Sequence, residues 1–211
     1  MHIYAFGSVC RGDVSPNSDI DLLAITDGHD PRFDPDSYSI YSYKRISELW
    51  HEGNPFAWHL ALESKLLFAS DKNDYLKSLG DPAPYTNCVS DCEKFYSLFR
   101  DARTSLANNP ASRVFDLSTI FLSLRNIASC FSLGATETPT FARNSATRLE
   151  ALSINISSSA YQVLERARIL CTRGYGNSIS IAEASIAIQE FDEIDRWMDR
   201  LVKGAKSHER I

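Results

Sequence analysis

The stretch that decides the fold runs from Phe6 to Leu23 and reads FGSVCRGDVSPNSDIDLL. The apolar run just before its turn, Ile3 to Phe6, predicts a buried strand that ends at Gly7-Ser8. The turn opens a short helix that ends at Gly12. A polar loop follows, and a second strand then begins with Asp19-Ile20-Asp21.

The two aspartates at the start of the second strand face the same side, because side chains alternate along a strand. Asp19 and Asp21 therefore bring two carboxylates close together, which is unfavourable unless a cation lies between them. A hard divalent cation such as Mg²⁺ prefers oxygen ligands of this kind. The pattern predicts a metal site on Asp19 and Asp21.

The Gly7-Ser8 turn opens toward the same place as the two carboxylates. Its backbone N–H groups, the helix N-terminus and the Ser8 hydroxyl can hold a phosphate. Metal ligands beside anion donors are what phosphoryl or nucleotidyl transfer requires. Each residue taken alone also has a structural interpretation: a plain turn at Gly7-Ser8, a strand cap at Asp19, and an ion pair between Asp21 and Arg11.

The combined pattern resembles the signature of the DNA polymerase beta-like nucleotidyltransferase superfamily, in particular its minimal and kanamycin nucleotidyltransferase-like members. That signature is Gly-Ser, a spacer, then Asp-x-Asp, and Gly7-Ser8 precedes Asp19 and Asp21 at that spacing. The resemblance implies that Asp19 and Asp21 are catalytic and bind Mg²⁺ or Mn²⁺, and that Gly7-Ser8 holds a nucleoside triphosphate, with ATP expected. It also implies supporting phosphate contacts from Arg11 and Ser18.

A third carboxylate, which relatives place on the neighbouring strand, is not evident. The third predicted strand, Tyr38 to Tyr43, carries no acid. Asp34 and Asp36 lie just before it, and Asp36 would serve if the strand began earlier; otherwise both are ordinary loop residues. A glutamate from the C-terminal half could supply the base instead, as in small antibiotic-modifying relatives. An alternative function is therefore a catalytically impaired nucleotide-binding or antitoxin-like regulatory protein.

The spacing of hydrophobic residues changes along the chain and divides it into two parts. Residues 1–85 mix strand-like and helix-like segments, and residues 80–86 are the linker candidate. Beyond them the period is that of helices, and five helices are predicted, two of them at 141–152 and 179–202. We therefore predict an α+β protein, with a small mixed β-sheet nucleotidyltransferase domain at 1–85 and an all-α helical bundle domain at 86–211.

The helical half carries a second resemblance. Leu124-Arg125-Asn126 resembles the start of the motif in HEPN domains, which are often encoded beside or fused to small nucleotidyltransferases. Active HEPN ribonucleases have a His a few residues later, where this chain has Cys130-Phe131, so RNA cleavage is not expected. The half also resembles the helical substrate domain of kanamycin nucleotidyltransferase-like proteins, with Arg143 toward a cleft. Arg125 and Arg143 otherwise suit ion pairs or carbonyl caps.

Other polar residues lack the spacing of a site. His51 and His59 are separated by a helix start at Asn54-Pro55, and we interpret both as packing or surface residues. Cys88 and Cys92 lie four residues apart, but no second Cys/His pair accompanies them, so a zinc site is not expected.

Composition narrows the classes of partner and the cellular compartment expected for this protein. The 211 residues carry a net charge of −5, which argues against long nucleic acids as partners but not against a small phosphate pocket. We expect a cytoplasmic protein, because the N-terminus lacks the pattern of a signal peptide and we find no run of about 18 apolar residues to span a membrane. The odd number of cysteines, five, suits a reducing compartment.

These observations predict a transferase that moves a nucleoside monophosphate from a Mg-bound nucleoside triphosphate to a hydroxyl group, with release of pyrophosphate. The acceptor would be a small molecule or a protein. The expected partners are the nucleotide and this acceptor, and a homodimer through the helical half is compatible with the function.

Overall fold

The computed structural model describes residues 1–13 and 20–208. Its contacts divide the chain into two compact units, Met1–Thr86 and Asn87–Ile211. The first unit contains a mixed β-sheet with helices, and the described part of the second is built from helices. This arrangement confirms the predicted α+β class.

The first unit is organised around a four-stranded sheet. Its strands are β1 His2–Phe6, β2 Asp21–Thr26, β3 Ser39–Ser42 and β4 Ser64–Ala69. They lie in the order β3-β2-β1-β4, with β1 antiparallel to both β2 and β4 and with β3 parallel to β2. The two strands predicted to flank the glycine turn are therefore direct neighbours.

In the described part of this unit, four helices accompany the sheet. They are α1 Ser8–Arg11, α2 Tyr43–His51, α3 Pro55–Glu63 and α4 Tyr75–Ser78. Local sequence explains their starts. The Asn54 side chain accepts a hydrogen bond from the N–H of Phe56, and Pro55 occupies the first turn, as the sequence predicts. The Ser42 side chain caps α2 in the same way.

The core of the first unit lies between one face of the sheet and helices α2, α3 and α4. Its buried residues are Tyr4, Phe6, Leu23, Ile25, Ile46, Leu49, Trp50, Ala57, Leu60 and Leu76. Because side chains alternate along β2, Asp21 lies on the same face as Leu23 and Ile25, at the end of the strand.

The predicted linker is partly fixed to the first unit. The indole N–H of Trp50 donates to the carbonyl of Gly80 at 2.9 Å, and the N–H of Ala83 donates to the carbonyl of Trp50 at 2.9 Å. The indole N–H of Trp58 donates to the carbonyl of Ala83 at 3.1 Å. The chain is therefore bound to the sheet domain at least as far as Ala83.

The second unit is a helical assembly. Its helices are α5 Cys88–Asn108, α6 Arg113–Ala135, α7 Ser158–Arg173, α8 Ile181–Ile188 and α9 Phe191–His208. Helix α6 packs against α5, α7 and α9. This central position explains why α6 is apolar on most sides.

Among the described residues, one helical segment is long and apolar enough to cross a membrane, namely Pro110–Ala135. The segment is not an unbroken apolar run, because it contains Arg113, Asp116 and Arg125, as expected from the sequence. Within the segment's most apolar window, 67% of the residues are buried inside the protein. A mostly buried helix of this kind fits the core of a soluble protein.

The helix predicted at 141–152 is wrong. This stretch instead contains two 3₁₀ turns, Ser145–Thr147 and Glu150–Leu152. Ser145 Oγ donates to the carbonyl of Arg125 at 2.9 Å, and Glu150 has a positive φ of 50° that a continuous helix does not permit. Tertiary contacts with α6 decide the conformation of this stretch.

The helix predicted at 179–202 is broken into α8 and α9. The carbonyl of Glu190 accepts a hydrogen bond from the N–H of Ile194, so α9 has its own start. Its first turn carries Asp192 and Glu193, which favour a helix N-terminus. The Glu190 carboxylate also accepts a hydrogen bond from the N–H of Ser157 at 3.1 Å, which fixes this break beside the start of α7.

Candidate active site

The candidate site lies where β1 ends and β2 begins. Phe6, the last residue of β1, is paired with Asp21, the first residue of β2. Gly7 therefore follows the pair directly and lies beside the aspartate. Asp21 is exposed at this end of the sheet, where a soluble ligand can reach it.

Gly7 has a backbone conformation that side chains other than hydrogen disfavour, with φ 75° and ψ −136°. A Cβ at this position would lie 2.8 Å from Asp21 Oδ2 and 3.8 Å from His59 Nε2. The missing side chain thus allows the backbone to lie against the Asp21 carboxylate. The structure brings together two of the residues that the sequence places in the site.

Helix α1 begins immediately after Gly7. The carbonyl of Gly7 accepts hydrogen bonds from the N–H groups of Cys10 and Arg11, at 3.1 and 3.2 Å. The N–H of Gly7 donates to the carbonyl of Glu63 at 3.1 Å. An anion at this turn would therefore meet the N–H and hydroxyl groups that follow Gly7, those of Ser8 first.

A charged cluster, which we call the Glu63 network, joins α1 to the end of α3. The Glu63 carboxylate is paired with the Arg11 guanidinium, and His59 Nε2 lies 2.9 Å from Glu63 Oε2. The three side chains are only 11–18% exposed. Burial alone would raise the pKa of Glu63, but His59 and Arg11 together hold that pKa below its usual value.

The Glu63 network changes the interpretation of two residues. The sequence suggests Arg11 as a phosphate contact, whereas the structure pairs it with Glu63 and, at 3.1 Å, with Asp13. The sequence predicts His59 as a packing or surface residue; it is buried, and its ring also lies near both Gly7 and Glu63. The available signal was the four-residue spacing of His59 and Glu63, which puts both on one face of a helix.

Two predicted site residues, Ser18 and Asp19, lie outside the described residues. Asp21 is therefore the described member of the predicted carboxylate pair. Within residues 1–13 and 20–208, no group of three His, Cys, Asp or Glu side chains is arranged to hold a metal ion. The chemistry still suits a hard cation, because Asp21 offers carboxylate oxygen beside a turn where no Cβ fills the space.

The third carboxylate is not on β3. This strand pairs with β2 in the register Leu23 to Ser39, and its residues are Ser, Ile, Tyr and Ser. Asp36 would have served only if the strand began earlier, and it begins at Ser39. The Asp34 carboxylate accepts hydrogen bonds from the N–H of Asp36 and from Ser37 Oγ, so it stabilises the preceding turn.

A cavity of about 350 Å³ in the first unit lies away from Gly7 and Asp21. Its lining includes Tyr4, Asp74 and Lys77. Tyr4 Oη donates to the Asp74 carboxylate at 2.8 Å, so this polar wall is already used to anchor α4 against β1. The candidate site is therefore defined by its residues rather than by this cavity.

The arginines singled out in the helical half have partners within that unit. Arg125 Nη2 donates to the carbonyl of Phe141 at 3.3 Å. Arg143 Nη1 lies 3.6 Å from the Glu165 carboxylate, and its carbonyl accepts a hydrogen bond from Tyr161 Oη. These contacts match the structural interpretation of both arginines.

Comparison with protein families decides the assignment of the first unit. The family model for the nucleotidyltransferase domain matches residues 2–79. Residues 2–79 form a nucleotidyltransferase domain. The nucleotidyltransferase domain contains the whole sheet and helices α1 to α4, and its recognition confirms the superfamily suggested by Gly7-Ser8 and Asp19-Ile20-Asp21.

The match ends before the helical unit, so it leaves the HEPN-like resemblance of residues 87–211 unsupported. Comparison with curated proteins and with solved structures gives no significant match. The nucleotidyltransferase domain itself implies a nucleotide substrate and transferase chemistry. Domains of this family generally use nucleoside triphosphates and divalent metal ions.

Proposed function

We propose that this protein transfers a nucleoside monophosphate from a Mg-bound nucleoside triphosphate, ATP in the first instance, to a hydroxyl group of a small molecule or a protein. The acceptor oxygen attacks the α-phosphorus, and the bond to the β-phosphate oxygen breaks. Pyrophosphate leaves, and the hydroxyl proton passes to a base. The protein would act in the cytoplasm.

The observation that carries this proposal is the contact between Gly7 and Asp21 within a nucleotidyltransferase domain. A glycine turn lying against an exposed carboxylate is the arrangement that the transfer chemistry needs, because the triphosphate and the metal must meet at one point. The pairing of Phe6 with Asp21 and the backbone conformation of Gly7 together produce this contact.

We assign the roles as follows. Asp21, together with Asp19, would be catalytic and hold the divalent metal, with nucleotide phosphates and water as the remaining ligands. Gly7-Ser8 would hold the triphosphate, with support from Ser18. A bound Mg²⁺ would supply charge neutralisation at the phosphates. Arg11, paired with Glu63, would position α1 beside the triphosphate.

The test uses the full chain with MgCl₂ and ATP. Calorimetry would measure nucleotide binding, and a coupled assay would measure pyrophosphate release with hydroxyl acceptors. Asp21→Asn should weaken Mg-ATP binding more than about tenfold, roughly 1.4 kcal/mol. Asp27→Asn is the matched control, because Asp27 is exposed just beyond the other end of the same strand.

Failure of the wild-type protein to bind any Mg-nucleotide would overturn the proposal. An equal loss of Mg-ATP affinity in Asp21→Asn and Asp27→Asn would also overturn the role of Asp21, since it would point to a general effect of removing negative charge. Binding without pyrophosphate release for any acceptor would contradict the transfer step.

A further inference from the structure

Three cysteines of the helical unit meet along the contact between α5 and α6. Cys88 Sγ lies 3.6 Å from the carbonyl oxygen of Cys130, and Cys92 Sγ lies 4.0 Å from the carbonyl oxygen of Ile127. Residues four apart on one helix and three apart on another share a face, so both thiols lie on the same seam. We call Cys88, Cys92 and Cys130 the thiol cluster.

The members of the thiol cluster differ in access to solvent. None of the three forms a disulfide; Cys88 is partly exposed, whereas Cys92 and Cys130 are buried. Cys88 is the first residue of a helix of 21 residues. The positive end of a helix stabilises a thiolate, which is the nucleophilic form of cysteine.

The neighbour of Cys88 is a buried thiol in hydrogen-bond contact with it. The hydrogen bond with Cys88 and burial both raise the pKa of Cys92. An accessible thiol at a helix N-terminus with a second thiol in hydrogen-bond contact is the arrangement of a redox-sensitive cysteine and its resolving partner.

We propose that Cys88 and Cys92 form an oxidisable pair that a hydroperoxide converts to a disulfide. The Cys88 thiolate attacks the terminal peroxide oxygen, the O–O bond breaks, and an alkoxide or hydroxide leaves and takes a proton from solvent water; the sulfur is oxidised by two electrons to a sulfenic acid. Cys92 then attacks that sulfur, the S–S bond forms, the S–O bond breaks, and water leaves with the Cys92 proton.

The helix geometry permits this bond with a local change. Residues four apart lie about 6 Å apart along a helix axis, within the range of about 4.4–6.8 Å between the Cα atoms of a disulfide. Their side chains must still approach each other. Because Cys88 begins α5, only the first helical turn has to open, and such turns fray readily.

Cys171 provides an internal control. It is exposed, and it lies on α7, which carries no member of the thiol cluster. If exposure alone governs oxidation, Cys171 reacts first; if the pair governs it, Cys88 and Cys92 react first.

The experiment treats the full chain with limiting hydrogen peroxide, alkylates the remaining thiols under denaturing conditions and maps tryptic peptides by mass. Cys88 and Cys92 fall in one peptide, residues 78–94, whereas Cys130 falls in 126–143 and Cys171 in 169–173. We expect peptide 78–94 to lose two hydrogens and to carry no alkyl group, while Cys171 stays alkylated.

In Cys92→Ser, peptide 78–94 should keep a Cys88 sulfenic acid, trapped by dimedone, and the intrapeptide disulfide should disappear. Cys92→Ala should behave the same way, and circular dichroism checks that both variants are folded. A link between peptides 78–94 and 126–143, prior oxidation of Cys171, or unreacted Cys88 would each overturn the proposed pair.

Discussion

Replacement of Gly7 by alanine tests the candidate site most directly. A residue with a side chain in this backbone region is strained by about 1–3 kcal/mol. Restricting the unfolded chain returns about 0.4–1 kcal/mol, so we expect a net loss of roughly 1–2 kcal/mol in the free energy of unfolding. That loss leaves most of the protein folded.

The larger effect of Gly7→Ala should be a displacement of the Asp21 carboxylate. The new Cβ would lie 2.8 Å from Asp21 Oδ2, and ordinary contact begins at 3.4 Å, so the carboxylate must move by about 0.6 Å to restore ordinary contact. Metal–ligand distances tolerate only about 0.2 Å. Gly7→Ala should therefore weaken Mg-ATP binding by more than about tenfold, roughly 1.4 kcal/mol.

Gly12→Ala is the matched control for this prediction. Gly12 also has a positive φ, 78°, but a Cβ there would meet nothing within 4 Å. Its net loss in unfolding free energy should be about 1 kcal/mol, similar to that of Gly7→Ala. Calorimetric titration with Mg-ATP and thermal unfolding measure both quantities. Wild-type affinity in Gly7→Ala, or an equal loss of affinity in Gly12→Ala, would refute the reasoning.

Three further predictions concern the nucleotidyltransferase domain. Glu63→Gln leaves Arg11 and His59 without their carboxylate and should lower the free energy of unfolding by about 1–3 kcal/mol at neutral pH, as measured by urea denaturation. Because folding lowers the pKa of Glu63, the stabilisation by its carboxylate is present above about pH 4.5 and is lost as the pH falls below that value. The difference in unfolding free energy between wild type and Glu63→Gln should therefore shrink at acid pH. A difference that stays constant with pH would contradict an origin in the ionised carboxylate. Gly53→Ala would place a Cβ 2.5 Å from the carbonyl oxygens of residues 83 and 84, so we expect a loss of about 3 kcal/mol, and an unchanged melting temperature would contradict this contact.

Local chemistry made part of the fold predictable. Asn54 and Pro55 specify a helix start by their own hydrogen bonding and fixed φ, and they occupy those positions in the structure. The position of Asp21 followed from the alternation of a strand, and that of Gly7 from its place at the end of β1. Each of these features depends on a few neighbouring residues.

The sequence does not predict features that depend on contacts between residues distant in the chain. Nothing near Ser145 in sequence indicates that its hydroxyl bonds to the carbonyl of Arg125, yet this contact helps to replace the expected helix by short turns. The Glu63 network likewise joins residues from two helices separated by 52 positions in the chain. His59 can be recognised as a site residue only when the position of α3 beside Gly7 is known.

The hydrogen bonds of Trp50 and Trp58 bear on how the sheet domain can be isolated. The region matched by the family model ends at residue 79, but these indoles use carbonyl groups at Gly80 and Ala83. A fragment cut at residue 79 would expose two tryptophan N–H donors whose partners had been removed. The limit of the family match and the folding limit of this domain therefore differ, and an expression fragment should extend to residue 86.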